Sequence, residues 1–260
     1  MKKFFVIGNP INHSLSPELH NFWLEKYGIN GSYGKVKLEE DDLEDFIQKM
    51  RNDEIHGINV TVPFKNKVIK YLDKSSLEAE KTGSVNTIYK NKQDIIGHNT
   101  DVAGFELGLR HTKINVLKKS VFIIGAGGVV PSIIYSLLNM GCQKIMLTNR
   151  TKEKTEELKK KFKEIKIIKW GKMPDFDIVI NATSVGLKGD TLKLNFDVKD
   201  KIFYDVIYNP KETEFLKNAK NKGNKIENGK LMFIYQANQS FSIWNNVIPK
   251  IDEEVLKIIP

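Results

Sequence analysis

Short apolar runs alternate along this chain with longer stretches in which apolar residues recur every three or four positions. The short runs have the length of strands, and the longer stretches have the spacing of a helix that buries one face. We predict strands at residues 4–8, 32–36, 57–62, 85–89, 121–125, 144–148, 177–181 and 202–206. We predict helices at residues 16–27, 43–51, 129–140, 151–162, 213–221, 231–244 and 253–259. This alternation favours the α/β class, with mostly parallel sheets.

The pattern also indicates two domains. A chain of 260 residues is long enough for one or two cores. Its first half carries clustered polar residues, and a regular strand–helix–strand unit opens at Val121. We therefore place the boundary near residues 99–102, with one α/β domain over 1–101 and a second over 102–237. The helices within 238–260 are expected to complete the first domain, because their apolar faces need a partner.

The charge of the chain is basic, with 41 Lys and Arg against 32 Asp and Glu and a net charge of +9. Such a balance suits nucleic acid, an anionic membrane surface or a phosphorylated small molecule. The lysine-rich stretch 152–172 carries Leu158, Phe162 and Ile165 at helical spacing, which leaves its lysines on a solvated face. Its lysines also interleave with acids, and we predict no nucleic-acid partner.

Cys142 is the only cysteine. A single cysteine excludes an intrachain disulfide and a cysteine-based zinc site, and it favours a reducing compartment. The chain has no unbroken apolar run of about eighteen residues, and its start lacks the apolar core of a secretory signal. We predict a soluble cytoplasmic protein with no membrane partner and no metal. The oligomeric state stays open, a homodimer included.

A glycine-rich turn, Gly-Ala-Gly-Gly at 125–128, follows a buried strand and precedes a helix. In that context the first glycine makes the tight turn, the second lets the backbone approach a pyrophosphate, and the helix start offers free N–H groups. Pro131 falls in the first turn of the helix, where its missing N–H costs little. Val130 stands where the full dinucleotide-binding fingerprint has Gly or Ala. The alternative interpretation of this segment is an ordinary strand–helix turn without a ligand.

The next strand ends in Asn149, Arg150 and Thr151. An NAD site places an acid here to bind the ribose 2′-hydroxyl, whereas this chain has Arg150 with Lys152 and Lys154 behind it. A guanidinium suits a 2′-phosphate, so we predict NADP rather than NAD. Thr151 also stands where the following helix needs an N-cap, and the two roles are compatible.

Four polar segments lie at strand ends and loops of the first half. They are Asn-His-Ser-Leu-Ser-Pro at 12–17, Asn-Val-Thr-Val-Pro-Phe-Lys at 59–65, Gly-Ser-Val-Asn-Thr at 83–87 and Gly-His-Asn-Thr-Asp-Val-Ala-Gly-Phe at 97–105. Their hydroxyls, amides, ammonium and carboxylate suit a polyhydroxylated anionic small molecule. Taken singly, Ser16 is equally explained as a helix N-cap, Asn86 as a turn residue and Lys65 as a surface lysine.

Together with the glycine turn, these segments make the chain resemble the shikimate dehydrogenase family over nearly its whole length. The resemblance continues in Asn-Ala-Thr-Ser-Val-Gly at 181–186, in Asp-Val-Ile-Tyr-Asn-Pro at 205–210 and in the segment from Gly229 to Ala237. It implies a substrate-binding and catalytic domain over 1–101, completed by the helices of 238–260. A cleft would separate that domain from a Rossmann-type NADP-binding domain over 102–237. Val129, Val130 and Pro131 depart from the family pattern.

The resemblance also implies a reaction and the residues for it. The reaction is the reversible NADPH-dependent reduction of 3-dehydroshikimate to shikimate, on the route to chorismate and the aromatic amino acids. Lys65 and Asp101 would form the catalytic pair. The substrate would bind to Ser14, Ser16, Thr61, Lys65, Asn86, Asp101, Tyr208 and Gln236. The cofactor would bind to Gly125, Ala126, Gly127, Gly128, Val129, Asn149, Arg150, Thr151, Lys154, Val206 and Gly229.

Other functions fit the sequence less well. A quinate/shikimate dehydrogenase with relaxed use of NAD is the nearest alternative, and Arg150 argues against it. Methylenetetrahydrofolate dehydrogenase shares the two-domain plan, but Ser14 and Ser16 and the spacing to Asp101 do not suggest a pterin site. We interpret all five histidines as structural or incidental rather than catalytic.

Overall fold

The computed structural model describes residues 1–260, which divide into two compact units. Unit 1 consists of Met1–Gly104 and Ile234–Ile259, and unit 2 consists of Phe105–Phe233 with Pro260. The divisions fall inside two helices, α4 (Thr100–His111) and α8 (Lys230–Asn245). Unit 2 is therefore almost entirely one continuous segment, whereas unit 1 is assembled from two. No helix is both long and apolar enough to cross a bilayer.

Unit 1 is built on a six-stranded sheet. Its strands are β1 (Lys2–Gly8), β2 (Gly31–Lys37), β3 (Gly57–Val60), β4 (Lys74–Ser75), β5 (Thr87–Asn91) and β6 (Asp94–His98). Their order in the sheet is β2-β1-β3-β5-β6-β4. The remaining helices of this unit are α1 (Ser16–Lys26), α2 (Leu43–Arg51), α3 (Leu77–Thr82) and α9 (Glu253–Ile258).

The sheet of unit 1 is mostly parallel, as predicted, and contains one antiparallel strand. Strand β5 runs antiparallel to both β3 and β6, while the other pairs are parallel. A two-residue turn joins β5 to β6, and its first residue, Lys92, has a positive φ of 55°. Such a hairpin needs no crossover helix, so the strand–helix alternation does not reveal it.

Unit 2 has a six-stranded parallel sheet. Its strands are β7 (Ser120–Ile124), β8 (Lys144–Thr148), β9 (Lys166–Ile167), β10 (Ile178–Asn181), β11 (Ile202–Asp205) and β12 (Lys225–Glu227). The order β9-β8-β7-β10-β11-β12 is that of the doubly wound dinucleotide-binding fold, and it reverses direction between β7 and β10. The helices are α5 (Val130–Asn139), α6 (Lys152–Lys161) and α7 (Glu214–Asn221). The predicted α/β fold class with a Rossmann-type domain is confirmed.

The lysine-rich helix α6 buries one apolar face, as its spacing predicts. Leu158, Phe162 and Ile165 all lie in the core of unit 2, which also contains the buried strands β7 and β10. The lysines of α6 lie mostly on the exposed side. The periodicity of the apolar residues therefore accounts for the exposure of these lysines.

Candidate active site

The candidate catalytic pair forms a buried ion pair in unit 1. Lys65 Nζ lies 2.5 Å from Asp101 Oδ2, and the two side chains are only 13% and 8% exposed. Lys65 is therefore not a surface lysine. A buried ion pair is stable only when further hydrogen bonds satisfy its remaining polar atoms. The surrounding amides supply such bonds.

Asn99 fixes the start of the helix that carries Asp101. Its Oδ1 accepts hydrogen bonds from the backbone N–H groups of Asp101, at 3.0 Å, and Val102, at 3.3 Å. This is the bonding pattern of an N-cap, which stabilises the first turn of α4. Asn99 Nδ2 in turn donates to Thr82 Oγ1, at 3.0 Å, and to Ser84 O, at 2.8 Å. The carboxylate of Asp101 thus projects from a firmly held helix start.

Asn86 holds the second carboxylate oxygen of Asp101. Its Nδ2 donates to Asp101 Oδ1, at 2.9 Å, and to Gln236 Oε1, at 3.4 Å. Its Oδ1 accepts the backbone N–H of Thr100 at 2.7 Å, which fixes the orientation of the amide. The structure therefore brings Lys65, Asp101, Asn86 and Gln236 together, although they are far apart in the sequence.

The strand directions explain why these residues meet. β1, β3 and β6 run in the same direction, and β5 runs against them. Their carboxyl ends therefore lie at one edge of the sheet, together with the amino end of β5. The segments with Ser14, Thr61 and Asp101 follow β1, β3 and β6 respectively, and Asn86 precedes β5. Ligand sites of α/β proteins form at such an edge.

Ser14 and Ser16 lie close together at the start of α1. Ser14 Oγ donates to Ser16 Oγ, at 3.2 Å, and accepts the backbone N–H of Ser16, at 3.3 Å. The N-cap position is occupied by Leu15, and the helix start has no side-chain cap bond. The N-cap explanation of Ser16 is therefore wrong. Thr61 is held at the end of β3 by its N–H, which donates to Ile7 O at 2.9 Å.

Tyr208 belongs to unit 2, where it follows β11. Its ring stacks on Phe233, with centroids 4.4 Å apart and planes 27° from parallel. Phe233 lies in the part of α8 that belongs to unit 2. No sequence pattern indicates this stacking, because the two residues lie in separate segments.

The glycine-rich turn of unit 2 lies where the sheet order reverses. Gly125 follows β7 with a φ of +110°, and a Cβ there would lie 2.7 Å from Ala182 O, after β10. Only glycine fits this close approach without strain. The turn leads directly into the ten-residue helix α5, with Pro131 in its first turn as predicted. A glycine turn that leads into a helix start, where backbone N–H groups have no partner within the helix, fits a pyrophosphate.

The segment after β8 presents the predicted basic group. Asn149 Nδ2 donates to Thr151 O at 2.9 Å, which shapes the loop around the exposed Arg150. Thr151 occupies the N-cap position of α6, but its side chain makes no cap bond. Lys154 is also exposed, one turn into the helix. No acidic side chain occupies this strand end, so the residues fit a 2′-phosphate better than a free ribose 2′-hydroxyl.

Val206 and Gly229 make a close backbone contact at the end of β11. A Cβ on Gly229 would clash with Val206 O, and the Gly229 N–H donates to Ile207 O at 3.1 Å. The neighbouring Asp205 is buried and accepts hydrogen bonds from Asn181 Nδ2, at 3.1 Å, and from Thr213 Oγ1, at 2.6 Å. Burial raises the pKa of Asp205 to about 6. Sequence reasoning assigned no role to this carboxyl, which ties together the loops after β10 and β11.

These features define a class of protein: a dinucleotide-dependent oxidoreductase with a buried lysine–aspartate pair. A curated relative from Pelagibacter ubique, named shikimate dehydrogenase (NADP(+)), is 55% identical over 99% of this chain and 98% of its own. The chain belongs to the shikimate dehydrogenase family, as its sequence motifs predict.

Further comparisons agree with that assignment. The family models described as shikimate dehydrogenase substrate binding domain and as shikimate / quinate 5-dehydrogenase match residues 6–88 and 106–188. A relative of the same name from Caldicellulosiruptor saccharolyticus is 36% identical over 100% of this chain and 98% of its own. The crystal structure of shikimate 5-dehydrogenase from Thermus thermophilus, in complex with NADP(H) and shikimate, is 30% identical, with a TM-score of 0.90 and full coverage of both chains.

Proposed function

We propose that this protein is an NADP-dependent shikimate dehydrogenase, which interconverts 3-dehydroshikimate and shikimate on the route to chorismate and the aromatic amino acids. The observation that carries the proposal is the buried pair of Lys65 and Asp101, with Asn86 and Gln236 beside it. Unit 1 binds the substrate in this proposal, and unit 2 binds the dinucleotide. The family model of a substrate binding domain, which matches residues 6–88, and the order of the parallel sheet support this division.

The polar residues of unit 1 suit a cyclic acid with several hydroxyls. The paired hydroxyls of Ser14 and Ser16 would bind the carboxylate as hydrogen-bond donors. Thr61, Asn86 and Gln236 would bind the ring hydroxyls through groups that both donate and accept. The role of Tyr208 in substrate binding stays a prediction. Because the ammonium of Lys65 and the carboxylate of Asp101 are already paired with each other, the substrate would be recognised mainly by hydrogen bonds from uncharged side chains.

The residues of unit 2 fit NADP(H). The turn formed by Gly125, Ala126, Gly127, Gly128 and Val129 would hold the pyrophosphate on its backbone N–H groups. The group of Asn149, Arg150, Thr151 and Lys154 would hold the 2′-phosphate of the adenosine. Val206 and Gly229 would border the nicotinamide. When bound, NADPH supplies the hydride that the ring carbonyl carbon accepts.

Lys65 supplies the proton in this mechanism. Its ammonium donates a hydrogen bond to the carbonyl oxygen, stabilises the negative charge that develops there, and transfers a proton to complete the hydroxyl. Asp101 orients Lys65 through Oδ2, while Asn86 occupies Oδ1. In the reverse direction the neutral Lys65 amine accepts the hydroxyl proton as the hydride leaves.

The direct test is shikimate oxidation by the purified protein, followed by the absorbance of the reduced nicotinamide. NADP⁺ and NAD⁺ are compared in parallel, and quinate replaces shikimate in a second series. We expect turnover with shikimate and NADP⁺. Comparable turnover with quinate or NAD⁺ would contradict the narrow specificity. Absence of turnover in a folded protein that binds NADP⁺ would reject the proposed substrate.

Arg150→Ala is expected to raise KM for NADP⁺ about 10- to 100-fold and to leave KM for NAD⁺ unchanged. A hydrogen bond to a charged group contributes about 1.5–3 kcal/mol, and only NADP⁺ has the 2′-phosphate that receives it. Arg110→Ala is the matched control, because Arg110 is an exposed arginine elsewhere in unit 2. An equal rise of KM for both dinucleotides would remove Arg150 from cofactor selection.

Gly125→Ala is expected to lower the free energy of unfolding of unit 2 and to weaken NADP⁺ binding. The added Cβ combines left-handed backbone strain with a 2.7 Å contact to Ala182 O. Gly171→Ala is the matched control, since Gly171 has a φ of +85° and nothing within 4 Å of its added Cβ. Overpacking should make the Gly125 variant about 1–2 kcal/mol less stable than the control in urea unfolding. Equal stabilities would show that the close approach is unimportant.

A further inference from the structure

Asp205 is a buried carboxylate of unit 2, at the carboxyl end of β11. The residue is 0% exposed, and no cation lies close enough to lower its pKa. Burial raises that pKa to about 6 against the opposing effect of its hydrogen bonds, so the group is ionised at pH 8. A charge this far from water is costly unless several donors satisfy it.

Each hydrogen bond to the two oxygens of Asp205 comes from such a donor. Oδ1 accepts the backbone N–H of Ile207 at 3.0 Å, and Oδ2 accepts the hydroxyl of Thr213 at 2.6 Å. Asn181 Nδ2 lies 3.1 Å from both oxygens. An ionised carboxylate has no proton to donate, so the direction of every one of these bonds is settled.

The side chain of Asn181 has a fixed orientation. Its Oδ1 accepts the backbone N–H of Thr183 at 3.1 Å, and its Nδ2 donates to Val185 O at 3.1 Å. A backbone N–H can only donate and a carbonyl oxygen can only accept, so the amide nitrogen faces Asp205. The loop after β10 is thereby bonded to the carboxylate.

The other two partners of Asp205 lie at the two ends of the loop between β11 and α7. Ile207 lies two residues after the end of β11, and its N–H has no other acceptor. Thr213 is the N-cap of α7, where its Oγ1 accepts the N–H of Leu216 at 3.4 Å. One oxygen of Asp205 therefore holds each end of this loop, and no other side chain bonds to both.

The Ile207 end of this loop lies beside Gly229. Ile207 O accepts the Gly229 N–H at 3.1 Å, and Val206 O is so close that a Cβ on Gly229 would clash with it. Val206 and Gly229 are the residues proposed to border the nicotinamide. The side chain of Asp205 is the one that forms a hydrogen bond with the backbone of residues 206–207, so it controls the position of that border.

We propose that Asp205 is a positioning residue for the nicotinamide, because its carboxylate holds both ends of the loop after β11 and so fixes the backbone of Val206 beside Gly229. Asp205 itself is fully buried and touches neither dinucleotide nor substrate. Its effect reaches the nicotinamide only through the backbone that it holds. The inference rests on the proposed function, since it requires the dinucleotide to bind to unit 2 as described there.

The test compares the binding of NADPH with that of adenosine 2′,5′-bisphosphate, a part of the cofactor that lacks the nicotinamide. Calorimetry at pH 8 gives both dissociation constants for the wild type and for Asp205→Ala. The substitution should weaken NADPH binding about 3- to 10-fold, the effect of one hydrogen bond, and leave bisphosphate binding unchanged. KM for NADP⁺ should rise by a similar factor, whereas KM for shikimate, which unit 1 binds in the proposed function, should not change.

Asp177→Ala is the matched control. Asp177 Oδ2 accepts the backbone N–H of Ser120 at 2.8 Å, at the opposite, amino-terminal edge of the same sheet. Its removal should lower stability and leave both dissociation constants unchanged. An Asp205→Ala protein that binds both ligands as the wild type does, or that loses affinity for both equally, would overturn the inference.

Thr213→Val takes the place of Asp205→Ala if the latter does not fold. Valine has nearly the shape of threonine, and the substitution releases the second end of the loop from Oδ2. It should also weaken the binding of NADPH and leave that of the bisphosphate unchanged. Equal effects on the two ligands, or no effect on either, would then refute the inference.

The outcome for the wild type separates this inference from the proposed function. A protein whose NADPH binding depends on Asp205 in this way, but which does not oxidise shikimate, would reject the proposed substrate and leave the role of Asp205 intact. A wild type that binds NADPH no more tightly than the bisphosphate would overturn the inference, because there would be no nicotinamide contact to position.

Discussion

Lys65→Ala should oxidise shikimate about 10²- to 10⁴-fold more slowly than the wild-type protein, which is the usual effect of losing a general acid–base group. Its affinity for shikimate should change much less, because the substrate is bound mainly by hydroxyl and amide groups of other residues. The measurement is steady-state kinetics together with calorimetric binding of shikimate. The variant also leaves Asp101 buried without its cation, so we expect lower stability as well.

Lys67→Ala is the control, because it removes a neighbouring lysine that has no part in the proposed proton transfer. Lys67 lies two residues further along and pairs with Glu40 at the surface, with side chains 35% and 48% exposed. Removing such an exposed pair changes stability little and should leave turnover unchanged. Turnover of Lys65→Ala within a few-fold of wild type would exclude Lys65 as the proton donor.

The wild-type protein should lose about 2–3 kcal/mol of unfolding free energy between pH 7 and pH 4.5 because of His20 alone. His20 is only 1% exposed, and neither ring nitrogen has a hydrogen-bond partner. Its ring stacks on Tyr33 at 4.2 Å and 6° and packs against Trp23 and Trp244. Burial lowers the pKa of His20 from 6.5 to about 3.

The loss of stability at low pH arises because the unfolded chain binds a proton at His20 more readily than the folded protein does. In the folded protein His20 stays neutral down to about pH 3, whereas in the unfolded chain it is protonated below about pH 6.5. The unfolded state therefore binds more protons in this window, and stability falls with falling pH by up to about 1.4 kcal/mol per unit.

His20→Phe should abolish this part of the acid sensitivity. Phenylalanine keeps the aromatic contacts and has no proton to bind, so its stability should fall less between pH 7 and pH 4.5. Urea unfolding at both pH values measures the difference, and His13→Gln, at an exposed position, serves as the control. Other acid-sensitive groups are present in every variant, so their contributions cancel in the comparison. One of them is Asp73, whose pKa is lowered to about 2 by its hydrogen bond from Arg51. Parallel pH dependence of wild type and His20→Phe would contradict this assignment.

The predicted helices and strands agree with the structure where the spacing of apolar residues within one segment determines the element. The helix predicted at 43–51 is α2 with the same bounds, and the strand predicted at 144–148 is β8 with the same bounds. Strand β6 and helix α4 were not predicted. Gly97, His98, Asn99 and Thr100 have the composition of a polar loop, and only pairing with β5 makes the first two part of a strand.

The candidate site was less accessible to sequence reasoning than the fold. Lys65 and Asp101 are 36 positions apart, and only resemblance to a family paired them before the structure placed them in contact. Buried Ser240 carries no sequence signal either, since a serine within a helix looks like any other. Its contacts with Asn59, Thr87 and Thr100, from three other elements, are a property of the tertiary structure.

The division of the chain into units sets an order for folding during synthesis. Unit 2 is continuous apart from Pro260, so almost all of it has been synthesised before Ile234 is added. Unit 1 cannot complete its packing until Trp244 has been synthesised. Trp244 stacks on Phe4 at 5.2 Å, covers Gly57, and donates to Ile88 O at 3.1 Å. A chain truncated after Phe233 lacks this cover. The ribosome therefore completes the segment proposed to bind the dinucleotide first, and the surroundings of Lys65 and Asp101 are closed only when the last helices emerge.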